Sequence, residues 1–96
     1  MDINYLSVEQ SPKTHEVWGD EGFKRINELL DKAVHLVNRK VKRDILYAGL
    51  SENKSIVGTR PVIFIDCEGG NRYHISERHI KNGELPKPDR WQKPFK

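Results

Sequence analysis

The side chains best suited to catalysis surround one turn. Asp66 and Glu68 form an Asp-x-Glu pair, and His74 follows a few residues later. Carboxylate pairs of this kind can bind Mg²⁺ in nucleases, where the metal activates water and stabilises charge on phosphate. However, neither these residues nor the four histidines show a CxxC, HxxxH or HExxH spacing. A metal-dependent nuclease is therefore only the third hypothesis, and we predict no catalytic residue, metal site or cofactor.

The chain has one cysteine, Cys67, which lies between Asp66 and Glu68. Negative neighbours disfavour the thiolate, so a nucleophilic role is not predicted. One cysteine forms no internal disulfide, which is typical of cytosolic proteins. The sequence also shows no apolar run of about 18 residues and no signal peptide pattern at its start. We therefore expect a cytoplasmic protein without membrane association, and bacterial, host-cell and phage-encoded proteins fit equally well.

Positive charge is concentrated in two segments. Residues 21–48 carry seven basic and four acidic residues, and residues 85–96 carry four basic residues and one acidic residue. Within the first segment, Arg39, Lys42 and Arg43 follow one another without an intervening acid. Such a group can contact a phosphate backbone, which dominates the affinity of proteins for nucleic acid. The alternative is a solvated charged face, which most surface helices have.

The C-terminal segment interleaves bases with aromatic residues. Pro86, Pro88 and Pro94 disfavour helix and sheet, so residues 85–96 are predicted to be an extended tail. Its aromatic side chains could stack on unpaired bases, anchor in a pocket of a partner protein, or fold back on the domain. The predicted nucleic-acid-binding residues of the two basic segments are Arg39, Lys42, Arg43, Lys87, Arg90, Trp91 and Lys93.

A second apolar row accompanies the main apolar stripe of the predicted helix. It consists of Leu29, Leu36 and Tyr47, and it makes the apolar arc wider than a simple amphipathic helix needs. One interpretation is that the hairpin and the N-terminal arm cover both rows. The other is an interface for a homodimer or a partner protein, to which Trp91 and Phe95 of the tail would contribute.

The elements that position these residues are read from periodicity. Residues 20–48 are predicted to form one long helix, with Asp20 as its N-cap and Gly49 after its last turn. A break near Asp44 is left open. Apolar residues recur there at steps of three and four, as expected for a buried helix stripe: Phe23, Ile26, Leu30, Ala33, Val34, Val37, Val41, Ile45 and Ala48.

A β-hairpin is predicted after the polar loop at residues 51–60. Residues 61–67 and 72–76 have the β-branched and alternating pattern of strands, and Gly69-Gly70 suits a tight turn. Ser76 is predicted to cap a short helix that ends at Asn82 before Gly83. A third strand could come from residues 3–8 or 55–57.

Together these patterns predict a small α+β domain, in which one long amphipathic helix packs on a β-hairpin or a small three-stranded antiparallel sheet. The domain spans residues 20–84, with an irregular arm at residues 1–19 and the tail at residues 85–96. The first functional hypothesis is a non-enzymatic, nucleic-acid-associated regulator that uses the basic helix end and the tail. The alternative is an inhibitor or adaptor that binds a larger protein machine.

Overall fold

The computed structural model describes residues 2–56 and 59–90, which form an α+β domain with one long helix. Five strands make a single sheet in the order β1-β2-β3-β4-β5, with β1 parallel to β2 and the other neighbours antiparallel. The predicted sheet of two or three strands was therefore too small. The elements along the chain are β1 (Asp2–Ile3), α1 (Pro12–Lys40), β2 (Ile45–Leu50), β3 (Val62–Cys67), β4 (Asn71–Ser76), α2 (Glu77–Asn82) and β5 (Asp89–Arg90).

Helix α1 begins at Pro12, so the predicted irregular arm was partly wrong. Proline suits the first turn of a helix because its missing N–H has no helical partner there. Gly19, at φ 73° and ψ 178°, interrupts the helix and kinks it. Glycine adopts a positive φ without strain. The predicted start at Asp20 thus coincides with the segment after this kink.

The helix ends at Lys40, and its predicted extension to Ala48 was wrong. Val41 is already extended, and residues 45–50 form β2 instead. A β-bulge between Ile45 and Tyr47 shifts the register of β2 against β3. Because of this extra residue, Ile45 and Ala48 are both buried although they are three positions apart. Their spacing therefore imitates the period of a helix.

The core lies between α1 and one face of the sheet, which we call the inner face. Helix residues at steps of three and four, among them Ile26, Leu30, Ala33 and Val37, are fully buried there. The sheet contributes alternate strand residues, so the predicted alternation of the hairpin is confirmed. These inner-face residues are Ile45, Ala48, Ile63, Ile65, Cys67, Tyr73 and Ile75.

The hairpin turn and α2 also follow the prediction. Gly69 and Gly70 have φ angles of 97° and 89°, which only glycine adopts readily. Ser76 caps α2 by accepting the His79 backbone N–H, while His79 Nδ1 accepts the Ser76 backbone N–H at 3.0 Å. Gly83 ends the helix in the left-handed region, and Ile80 packs against the core.

Both ends of the described chain are tied to the domain. The Leu6 backbone donates to Asn27 Oδ1 at 2.8 Å and accepts from Asn27 Nδ2 at 3.0 Å, which fixes the arm on α1. At the other end, β5 pairs with Asn71 and Arg72, so residues 89–90 of the predicted tail form an edge strand. Of the predicted tail residues, Trp91, Lys93 and Phe95 lie outside the described residues. No helix within residues 2–56 and 59–90 is long and apolar enough to cross a membrane.

Candidate functional site

Two arginines that are far apart in the chain lie beside the same turn. A methyl group at Gly69 would lie 2.8 Å from Arg43 Nη1, and one at Gly70 would lie 3.6 Å from Arg90 Nη2. The two glycines therefore allow both guanidinium groups to approach the backbone between β3 and β4. Arg43 and Arg90 were each predicted to bind nucleic acid, and the fold brings them together.

The other two predicted bases of the first basic segment precede Arg43 in the chain. Arg39 is in the last helical turn, and Lys42 precedes Arg43 in the exposed connection to β2. That connection is held at the turn because the Glu68 backbone N–H donates to the Asp44 carbonyl at 2.8 Å. We call Arg39, Lys42, Arg43 and Arg90 the basic turn cluster. Lys87 is exposed in the segment that leads to β5.

The sheet face opposite the core, the outer face, carries aromatic and charged side chains. The rings of Tyr47 and Phe64 lie 5.5 Å apart between centroids, at an interplanar angle of 32°. The guanidinium carbon of Arg72 lies 4.4 Å from the centroid of Phe64, in a cation–π contact. All three side chains are partly exposed. We call Tyr47, Phe64 and Arg72 the aromatic platform.

Gly49 on β2 leaves room for the two aromatic rings of the platform. A methyl group at this position would lie 3.2 Å from Phe64 Cε1 and 3.4 Å from Tyr47 Cε2. The missing side chain leaves the space that the two rings occupy. Gly49 is therefore a strand residue beneath the platform, and its predicted role after a helix terminus was wrong.

The acidic residues of the nuclease hypothesis are occupied by other contacts. Both carboxylate oxygens of Asp66 accept hydrogen bonds from Arg72, at 2.6 and 2.9 Å, and Asp66 is only 6% exposed. His74 Nδ1 lies 3.2 Å from Asp89 Oδ2, and Glu68 is exposed on the turn. Among the described residues, no three His, Cys, Asp or Glu side chains are arranged to hold a metal. The Asp-x-Glu pair therefore provides no geometric support for a nuclease.

Two nearby titratable groups are held neutral by burial. Burial lowers the pKa of His74, and the opposing attraction of Asp89 does not offset this effect. Lys54 and Arg72 lower the His74 pKa further through their charge. Burial raises the pKa of the Cys67 thiol, and the charge of Asp66 raises it again. The expectation that negative neighbours disfavour the Cys67 thiolate agrees with this direction.

The second apolar row of the sequence does not exist as one surface. Tyr47 lies on β2, not on the helix, and faces Phe64 on the outer face. Leu29 and Leu36 are on α1, and each is only 3% exposed within the monomer. Ile80 of α2 lines a groove with each of them. The interpretation in which the domain covers this row is thus favoured, although α2 rather than the hairpin or the arm lies beside it.

A basic cleft, which was not predicted from the sequence, lies at the opposite end of the sheet from the turn. It has a volume of about 520 Å³, and it is lined by Lys54, Arg60 and Arg78 together with Val62 and Ser76. Arg25 also lines the cleft, but it forms a bidentate pair with Glu77 at 2.5 and 2.6 Å. Of the three other bases, Lys54 and Arg60 come from the loop between β2 and β3 and Arg78 comes from α2, so they form no continuous run of charge in the sequence.

Comparison of the chain with protein-family models, curated proteins and solved structures finds no match. A proposal of function therefore depends on the basic turn cluster, the aromatic platform and the basic cleft themselves.

Proposed function

We propose that this protein is a non-enzymatic regulator that binds nucleic acid through the basic turn cluster. The observation that carries the proposal is the convergence of Arg43 and Arg90 on the Gly69–Gly70 turn. Arginine presents a planar group of donors that matches phosphate geometry and can bind it in a bidentate manner. Two such groups beside one turn, with Arg39 and Lys42 in the adjoining segment, suit consecutive phosphates of a nucleic acid backbone.

The charges of this cluster are available to a ligand. Within the described part of the chain, none of its four members forms a salt bridge. Asp44 and Glu68 are the acidic residues of the connection and the turn, so the cluster keeps a positive surplus. Arg39 also lies at the helix C-terminus, where a cation is favourable for the helix dipole. That effect accounts for Arg39 without a ligand, but it does not account for Arg43 and Arg90.

The alternative, an inhibitor or adaptor of a larger protein machine, has its main support in Trp91 and Phe95. Both residues lie outside the described part of the chain, so this alternative stays a prediction. A homodimer and a cytoplasmic location stay predictions as well. Binding to nucleic acid is the better supported proposal because Arg43 and Arg90 both lie beside the Gly69–Gly70 turn.

The proposal is tested by the salt dependence of binding. We expect a labelled oligonucleotide to bind at low salt, and its affinity to fall steeply as salt rises, because phosphate contacts release counterions. Replacing Arg39, Lys42 and Arg43 by alanine should reduce the slope of log K against log salt by about 2–3, since up to three contacts are lost. Fluorescence anisotropy at several salt concentrations measures both quantities.

The matched control removes three exposed lysines elsewhere, as K13A/K24A/K81A, and changes the net charge equally. We expect this control to keep most of the wild-type slope. If the control loses as much as the cluster variant, binding reflects net charge alone. If the wild-type protein binds neither single strands nor duplexes at low salt, the proposed function is wrong.

A further inference from the structure

We propose that the bound nucleic acid is a single strand that crosses the outer face of the sheet, with its bases on the aromatic platform and its phosphates at the two basic ends. This inference rests on the proposed function, and it adds the class of ligand and its path. It also assigns a role to the aromatic platform and to the basic cleft, which binding through the basic turn cluster alone does not use.

The outer face lies between the basic cleft and the turn, where Arg90, in register with Asn71 opposite Cys67, lies on the inner-face side of the sheet. Strand β3 runs from Val62, which lines the basic cleft, to Cys67, which precedes the turn. Phe64 lies between these ends and pairs with Gly49 on β2 and His74 on β4. At about 3.3 Å per residue, the six residues of β3 span roughly 17–20 Å. Sheets that bind single strands stack two or three bases on their aromatic residues, a scale that this length accommodates.

The helices leave the outer face to a ligand. The core that α1 and α2 cover consists of inner-face residues, and it includes none of Tyr47, Phe64, Arg72 and His74. Aromatic rings and guanidinium planes are the two kinds of surface on which unpaired bases stack. The platform provides both kinds, and Asp66 holds the Arg72 guanidinium in place over Phe64.

The basic cleft supplies the second set of phosphate contacts. Lys54, Arg60 and Arg78 line it, and within the described residues none of the three forms a salt bridge. The charge of Lys54 acts on His74, which pairs with Phe64, so this end of the cleft adjoins the platform. A nucleic acid strand that extends from the platform toward Val62 would therefore reach the three basic side chains of the cleft.

Carboxylates on the outer face disfavour phosphates over the row that contains Tyr47. Asp66 and Asp89 lie in the same row as Tyr47, paired with Arg72 and His74 respectively, and Asp2 lies opposite Tyr47 on β1. This row lies between Phe64 and the turn, and its carboxylates disfavour phosphates there. A duplex hides its base faces and exposes its phosphates, so it fits this row poorly.

The platform is tested with Phe64→Leu, which removes the ring but keeps an apolar side chain. Labelled single-stranded DNA and RNA oligonucleotides of mixed sequence and a DNA duplex are titrated by anisotropy at low salt. For the wild-type protein we expect tighter binding of at least one single strand than of the duplex. Phe64→Leu removes the ring that supports the Arg72 guanidinium, so it should weaken single-strand binding about 5- to 150-fold, the equivalent of ~1–3 kcal/mol for one base stacked on that guanidinium, and should leave duplex binding unchanged.

Phe64→Tyr is the matched control because it keeps a ring on the platform, and it should bind single strands as the wild type does. Circular dichroism of each variant checks that the fold is intact. If the wild-type protein binds nucleic acid but prefers the duplex, or if Phe64→Leu binds single strands normally, the proposed path is wrong and the proposed function stands. If no nucleic acid binds, both fail.

The cleft is tested separately with R60A/R78A against K13A/K24A, a control that removes the same charge from exposed positions of α1. Loss of two phosphate contacts from a single strand should reduce the slope of log K against log salt by about 1.4. The control should leave the slope near the wild-type value. An unchanged slope for R60A/R78A would exclude the cleft from the path of the strand.

Discussion

Leu29→Asp is expected to destabilise the folded monomer by about 3–5 kcal/mol. Leu29 is only 3% exposed and belongs to the core cluster under α1. The substitution removes a buried apolar side chain and introduces a carboxylate without a buried partner. The short aspartate side chain also keeps its charge away from Lys32 and Lys81, which line the neighbouring groove. Urea unfolding followed by circular dichroism measures the change, which is a large part of the 5–15 kcal/mol typical of a domain.

The matched control is Leu46→Asp, which places the same charge on a leucine that is 43% exposed. We expect this variant to unfold at nearly the urea concentration of the wild type. Leu29→Asp also distinguishes whether Leu29 of the predicted apolar row belongs to the core or to a dimer interface. If Leu29 were part of a dimer interface, Leu29→Asp would produce a folded monomer from a wild-type dimer, and light scattering would detect the change in mass.

Ile65→Ala is expected to destabilise the domain by about 2–5 kcal/mol. Ile65 is fully buried on the inner face of β3, a central strand, between α1 and the sheet. Truncation loses the transfer free energy of the removed methyl groups and leaves a cavity that the neighbours fill only partly. The same urea unfolding experiment measures this loss.

The neighbouring residue provides the comparison, since Phe64 points to the outer face. We expect Phe64→Leu to cost much less stability than Ile65→Ala, because its ring is partly exposed and outside the core cluster. This difference between Phe64 and Ile65 would show that the inner face of the sheet is needed for stability, which leaves the outer face free for binding. Equal destabilisation by both substitutions would show that the outer face is part of the fold.

The hairpin and α2 could be predicted from the sequence because each had a local signal. Alternating Tyr73 and Ile75, the Gly69-Gly70 pair, and Ser76 with Gly83 at the two ends of a short helix all act through neighbouring residues. Turns and helix caps depend on the backbone conformation of neighbouring residues, which the adjacent sequence determines. The hairpin and α2 are therefore found at the predicted positions.

The end of α1 and the size of the sheet could not be read in the same way. The bulge in β2 gave Ile45 and Ala48 the spacing of a helix, and only pairing with β3 distinguishes the two structures. Strands β1 and β5 have two residues each, which is too short for a period of two to be visible. Both depend on partners that are distant in the chain.

The candidate site was predictable only in part for the same reason. Arg43 and Arg90 were recognised as bases in charged segments, but their convergence depends on the turn between β3 and β4. Phe64 and Tyr47 were assigned to a strand and to a helix, so their contact was not foreseen. Lys54, Arg60 and Arg78 form a cleft only after the loops and α2 are in place.

The most direct test of nucleic-acid binding on the outer face is a two-dimensional NMR titration of the ¹⁵N-labelled protein with a short single-stranded oligonucleotide at low salt. We expect amide shift changes in β2, β3 and β4 around Tyr47, Phe64 and Arg72, and at the turn near Arg43. Buried amides of α1 around Leu30 should change little. Absence of any change, or changes confined to surfaces other than the outer face and its two basic ends, would show that nucleic acid does not bind across the outer face.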